Sequence, residues 1–164
     1  MSEVLILVDS VAGKVSKSTG ELATFAKAIG RVNAVVFDAA LASQLSSYAI
    51  DNVVVCAGVD ISKFSPGPVA QTLAQLVASK SAAAVLITST SRGKEIAGRL
   101  AVATNSGIIT DATSIDSDLV TTQAVFGGST TVHAAVTHGT TIATIRANSI
   151  EPIAGSATPT TEDF

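Results

Sequence analysis

At 164 residues the chain is long enough for one domain with a sizeable core. Hydrophobic residues make up 47% and charged residues only 14%, which excludes a disordered chain and points to a well-buried α/β protein. A net charge of −3 with scattered Lys and Arg excludes a basic nucleic-acid surface, and an aromatic content of 4% argues against stacking platforms for bases or sugars.

Val4-Leu5-Ile6-Leu7-Val8 is a continuous apolar run, the pattern of a strand buried on both faces. The chain enters this strand directly after Met1-Ser2-Glu3, so no signal or transit peptide is expected. Ser18-Thr19-Gly20-Glu21 fits a capping box, with Ser18 as N-cap and Glu21 reaching back to it. Leu22, Phe25, Ala26 and Ile29 follow at helical spacing, and Gly30 ends the helix. Val32 to Phe37 reads as a second strand, Leu41, Leu45 and Tyr48 as one face of a short helix, and Val53 to Cys56 as a third strand. Cys56, the one cysteine, falls in that apolar run and reads as a small buried core residue, with no disulfide framework possible.

A loop with Pro66-Gly67-Pro68 leads to a helix that places Val69, Leu73, Leu76 and Val77 on one face. Ala83 to Thr88 is a fourth strand, and Ile96, Leu100 and Ala103 or Thr104 line the core face of the next helix. Regular alternation of strands and helices up to Gly107 implies parallel strands in a sheet with helices on both faces. After Gly107 the pattern changes. Ile108-Ile109, Leu119 to Phe126, Thr131 to Thr137 and Thr140 to Arg146 are β-branched segments with no room for helices between them. Gly127-Gly128 and His138-Gly139 supply turns, and the region reads as an antiparallel extension of the same sheet. Residues 1–150 form the domain. Residues 151–164, rich in Pro, Thr, Ser and Gly, read as a surface linker or tail whose next domain is missing. No apolar run reaches membrane-spanning length. With the lone thiol, this sets the expectation of the bacterial cytoplasm.

The junction of the fourth strand with its helix is the most informative stretch. Leu86-Ile87 runs into the hydroxyl residues Thr88-Ser89-Thr90-Ser91 and then into Arg92-Gly93-Lys94, at the strand end where α/β sheets receive ligands. The Ser89–Gly93 turn could cradle an anion on backbone N–H groups and the helix dipole. Equally, Ser89 to Ser91 could simply cap the helix, and helix starts far outnumber anion sites. No GxGxxG or GxxxxGK[ST] pattern is present. Arg92, Glu95 and Arg99 share one helix face and read as a solvated or interdomain ion-pair row. His133 and His138 lack an acid or thiol at ligand spacing, so no zinc site is expected. Asp9, Asp38 and Asp111 follow apolar runs without a paired histidine, and Asp111 and Asp116 flank a turn. No catalytic, cofactor or metal residue is therefore assigned.

The stretch Thr88 to Ala101 resembles the Thr-Ser-x-Gly-Arg-Asp…Arg-Leu-Ala segment of the electron transfer flavoprotein alpha subunit's N-terminal domain, with Arg92 and Gly93 in swapped order and Lys94 replacing the acid. Val4–Asp9, Gly13-Lys14 and Ser18–Leu22 resemble that family's opening strand, loop and first helix. Tyr48–Val55 resembles its Tyr-Gly-Ala-Asp-x-Val-Tyr-Val segment, and Gly107–Thr113 its Gly-Leu-x-Thr-Asp-Cys-Thr segment. Val125-Phe126-Gly127-Gly128 is similar to its Tyr-Gly-Gly, and Thr144-Ile145-Arg146 to its Thr-Val-Arg-Pro exit. Gln123-Ala124 stands where the family has Arg-Pro, and Ala147 follows Arg146 instead of Pro.

The resemblance implies a nucleotide-hydrolase-like α/β domain that pairs with a beta subunit. It implies an electron carrier component rather than an enzyme, with FAD held by a second domain and none bound by this chain alone. It further implies electron transfer, as in fatty acid β-oxidation, from acyl-CoA dehydrogenase-type donors to a quinone reductase-type acceptor, with no nucleic acid or membrane partner. Two rivals stand beside it: a free-standing adenine-nucleotide-binding module of universal-stress type, and an interaction domain with no small ligand.

Overall fold

In the computed structural model, which describes residues 2–58, 61 and 66–164, the first apolar run forms strand β1 (Glu3–Leu7). A two-residue ribbon follows, β2 (Ser10–Val11) against β3 (Lys14–Val15), and then helix α1 (Lys17–Ile29) and strand β4 (Arg31–Val36). A 3-10 helix (Ala39–Ser47) leads to β5 (Asn52–Val55), α2 (Gly67–Lys80), β6 (Ala84–Thr88) and α3 (Ser91–Thr104). Beyond these lie β7 (Ile108–Ala112), β8 (Ser114–Ile115), β9 (Thr121–Val125), β10 (Thr130–Ala134), β11 (Thr141–Ile145) and β12 (Thr160–Asp163).

The main sheet has seven strands in the order β12-β5-β4-β1-β6-β11-β7, and every pairing is parallel. Side chains alternate across it. Val4, Ile6, Ala34, Val53 and Leu86 face a core closed by α1 and the 3-10 helix. Leu5, Val35, Val54, Val85 and Ile142 face a second core closed by α2 and α3. Helices on both faces are what an all-parallel sheet requires, since neither face is polar enough to meet water.

The region after Gly107 departs from the expected single extended sheet. The antiparallel pairing there is confined to a separate three-stranded sheet, β10-β9-β8. β7 and β11 instead join the main sheet in parallel, with β11 inserted between β6 and β7. The physical reason lies in β11 itself: Thr141–Ile145 is buried at every position, which only a central strand allows. The small sheet is an excursion between two strands of the large one. Its β9–β10 connection carries Phe126, Gly127 and Gly128 at φ of 51°, 68° and 91°. That left-handed backbone accounts for the two adjacent glycines.

The expected capping box does not form. α1 starts one residue earlier than Ser18, after Ser16, and Ser16 makes no side-chain cap bond. The Ser16 and Ser18 hydroxyls instead donate to Asp9 Oδ2 at 3.1 and 3.4 Å. Glu21 is 2% exposed and accepts the Asn148 N–H at 2.8 Å. A long-range contact has taken the carboxylate away from its own helix start.

Two buried amides cross the otherwise apolar sheet near its amino-terminal edge. Asn52 Nδ2 donates to Asn33 Oδ1 at 3.1 Å and to Glu162 at 3.0 Å, and Asn33 Nδ2 donates to Glu3 at 2.7 Å. Lys80 pairs with Glu162 beyond them. The Lys80 bond comes first among the causes that hold the Glu162 carboxyl below its usual range, with Asn52 adding to it.

Residues 151–164, expected as a linker or tail, run along the surface but are tied to it. Lys17 and Glu151 form an ion pair at 2.9 Å, and the Ile153 N–H donates to Thr24 Oγ1 at 2.9 Å. β12 then adds an exposed edge strand to β5, with the Thr160 N–H on Asp51 at 3.1 Å and the Phe164 N–H on Val55 at 2.9 Å. Amide exchange followed by NMR is expected to protect Thr160 and Phe164 well above Thr161 and Asp163, whose N–H groups face outward at the edge. Uniformly fast exchange across 160–164 would show a free tail.

Candidate functional site

The chain runs from β1 outward to β4 and β5, then crosses back to place β6 on β1's other side. The carboxyl ends of β1 and β6 therefore diverge, and a crevice opens between the connections that leave them. Among the described residues a cavity of about 450 Å³ occupies this crevice, walled by Leu7, Val36, Phe37, Ile87 and Ile96 and rimmed by Asp9, Asp38, Thr88, Thr90 and Arg92. The expected strand-to-helix junction thus lies on its rim.

Within that junction the hydroxyls divide their work. Thr90 is the N-cap of α3, accepting the Gly93 N–H at 2.9 Å. Gly93 is buried, and a Cβ there would lie 2.0 Å from the Thr88 carbonyl oxygen. Close packing of the helix start on the strand end therefore demands glycine at this position. Ser89 turns away from the cavity and donates to Asp111 Oδ1 at 2.6 Å. Thr88 is 7% exposed, lines the cavity, and its Oγ1 has no hydrogen-bond partner among the described residues.

Asp111 gathers a second cluster at the ends of β6, β11 and β7. Lys94 Nζ lies 2.8 Å from its Oδ2, Ser89 holds Oδ1, and the Asp111 N–H donates to Thr144 Oγ1 at 3.0 Å. The Lys94 bond, with that of Ser89, holds the Asp111 carboxyl below its ordinary value of 3.8. This pairing is invisible in the sequence, because the partners come from three separate elements. It ties α3 to the outer strands, and its members are all engaged with one another.

The remaining residues singled out by sequence serve structure. Arg99 pairs with Glu95 at 2.8 Å on the exposed side of α3, while Arg92, expected on the same row, faces the cavity rim. Asp116 Oδ1 accepts the Asp118 and Val120 N–H groups at 3.0 and 2.9 Å, closing a turn. His133 is exposed on β10 with Nδ1 3.2 Å from Thr122 Oγ1, and His138 is exposed in a turn. Among the described residues no three His, Cys, Asp or Glu side chains come together to hold a metal, and no helix is long and apolar enough to cross a membrane. Burial pushes the Cys56 thiol up to about 11, so at neutral pH it stays protonated and unreactive.

Two outcomes test these assignments. Gly93→Ala is expected to destabilise the chain by about 1–3 kcal/mol in urea melts through overpacking at the strand end. Asp111→Asn is expected to cost about 1 kcal/mol at neutral pH, screening having reduced a half-exposed pair. A lowered folded-state pKa gives stability that is present above the unfolded carboxyl value and lost as pH falls through the folded one. The variant's acid melts should therefore converge on the parent's at low pH, and a gap that persists there would refute the ionic role.

Comparison with known proteins bears on the whole chain. Residues 4–164 match the family model described as electron transfer flavoprotein domain. The chain is 36% identical over 163 residues to electron transfer flavoprotein subunit alpha of Mycobacterium tuberculosis, in strains CDC 1551 and H37Rv, covering 95% of this chain and 51% of that protein. It is 35% identical over 156 residues to the same subunit of Mycobacterium leprae, covering 92% of this chain and 49% of the relative. It thus spans about half the length of the curated relatives it matches. The chain belongs to the electron transfer flavoprotein family, on its alpha-subunit side.

Proposed function

We propose that this chain acts as the N-terminal domain of an electron transfer flavoprotein alpha subunit, a platform on which a beta subunit docks. One observation supports this above the others: the match runs along nearly the whole chain and reaches about half of each alpha subunit. In this reading FAD belongs to that other half, and the complex carries electrons without being an enzyme in the usual sense. Donors of acyl-CoA dehydrogenase type, as in fatty acid β-oxidation, and an acceptor of quinone reductase type would be served by the assembled heterodimer. The setting would be the bacterial cytoplasm. Residues 151–164 would lead toward the flavin-bearing half while β12 keeps them anchored to this one. The reading as a free-standing adenine-nucleotide module yields to the family membership.

The test has two arms. The purified chain, mixed with FAD and desalted, is expected to be colourless, and a retained flavin spectrum would overturn the division of labour. Co-expressed with a beta subunit of the same family, the chain is expected to co-elute with it in size exclusion. Failure to co-elute, while the full-length alpha subunit does so, would move the pairing surface to the other half.

A further inference from the structure

We propose that β12 is a detachable guard strand, and that the β5 edge it covers pairs with β5 of a second copy of this chain when the guard lifts. The inference rests on how the outer strands of the sheet are packed, and it is independent of the flavoprotein reading.

β5 is built as an interior strand. Asn52, Val53, Val54 and Val55 are all buried, with Val53 and Val55 in the core beneath α1 and Val54 in the core beneath α2 and α3. β12 is built the opposite way. Its four residues, Thr160–Asp163, are all exposed, and they add no side chain to either core. A strand without an apolar anchor is held by its ladder and by polar contacts alone. Segments of that kind open locally while the rest of the fold stays closed.

The holding contacts converge on one residue. The Thr160 and Phe164 N–H groups donate to Asp51 and Val55, and the Thr160 hydroxyl donates to Asn52 Oδ1 at 2.7 Å. Between them, Glu162 accepts from Asn52 Nδ2 at 3.0 Å and pairs with Lys80 in the last turn of α2. Its backbone N–H, midway in the alternation from 160 to 164, is also directed at β5. Glu162 thus serves both the ladder and the latch. The Lys80–Glu162 pair is partly exposed, so water weakens it.

Beneath the guard lies an edge of the kind that recruits strands. Lifting β12 would leave the outward N–H and C=O groups of Val53 and Val55 unpaired beside a run of three valines. Two copies fit there about a twofold axis. Antiparallel pairing sets Val53 against the partner's Val54 and Asn52 against the partner's Val55, so no like charges meet. The guard itself carries Glu162 and Asp163, charges that discourage strand addition to its own outer edge. Both faces of β12 are exposed, so the place it vacates is open to a strand from outside.

The test uses the 164-residue chain and two proline variants, read by size exclusion with light scattering. Glu162→Pro removes the inward N–H and the latch together, and it is expected to dimerise at concentrations where the parent is a monomer. Thr161→Pro removes an N–H that faces outward, and it is expected to stay monomeric. In the Glu162→Pro dimer, amide exchange at Val53 and Val55 should remain slow while residues 160–164 exchange freely. Lys80→Gln should speed exchange at Thr160 and Phe164 by about threefold and raise the dimer fraction at high concentration. The proposal falls if Glu162→Pro is folded by circular dichroism yet monomeric, or if Val53 and Val55 exchange freely within its dimer. It falls equally if Thr161→Pro dimerises as readily, since pairing would then not depend on the guard. Should Glu162→Pro fail to fold, Lys80→Gln decides: unchanged exchange, or faster exchange with no dimer at millimolar concentration, overturns the proposal.

Discussion

A parallel sheet has no face it can leave to water, and this one obligation organises the molecule. Each of the inner strands divides its side chains between two cores, so that Val4 and Ile6 meet α1 while Leu5 between them meets the helices on the other side. The helices must then fall on both faces, and the chain must cross from one flank of β1 to the other to place them. That crossing is what parts the strand ends of β1 and β6. The crevice with its apolar walls and its rim of Asp9, Thr88 and Arg92 is thus a by-product of covering the sheet, and not a separate construction.

The strand–helix alternation as far as Gly107 was legible because both signals are local: apolar runs for the strands and helical spacing for the covers. Val69, Leu73 and Leu76 are buried as their spacing implies, and so are Ile96 and Leu100. Of the two candidates for the next turn, Ala103 is exposed and Thr104 half-buried, and Ala97 and Ala101 complete the core face. What the local pattern could not carry was strand order. Nothing in Thr140 to Arg146 states that this segment inserts beside β6, although its unbroken burial is the mark of a central strand once seen.

The polar assignments were less legible, for a related reason. Glu21 sits at the spacing of a capping box, but the nearby serines turn to Asp9 and Glu21 turns to Asn148. Asp111 stands in a family-like segment, yet its partners Lys94, Ser89 and Thr144 come from elements that only the fold assembles. Thr88 opens a run of hydroxyls in the sequence, and its lack of a partner depends on what surrounds it in three dimensions. Residues 151–164 looked compositionally loose. Their hold on the domain comes from backbone pairing with β5, which composition does not record.

The chain of amides from Glu3 through Asn33 and Asn52 to Glu162 also bears on how the strands find each other. Val-rich neighbours such as β4 and β5 offer few features by which one alignment beats the next. Sliding β5 by one position would face Asn33 with Val53 and push Asn52 toward the opposite core. Two side-chain amides would then lose their partners in an apolar interior, at about 1–3 kcal/mol each. The polar row works like a key cut into a smooth lock, adding little to the binding of the strands while making every other alignment of them costly.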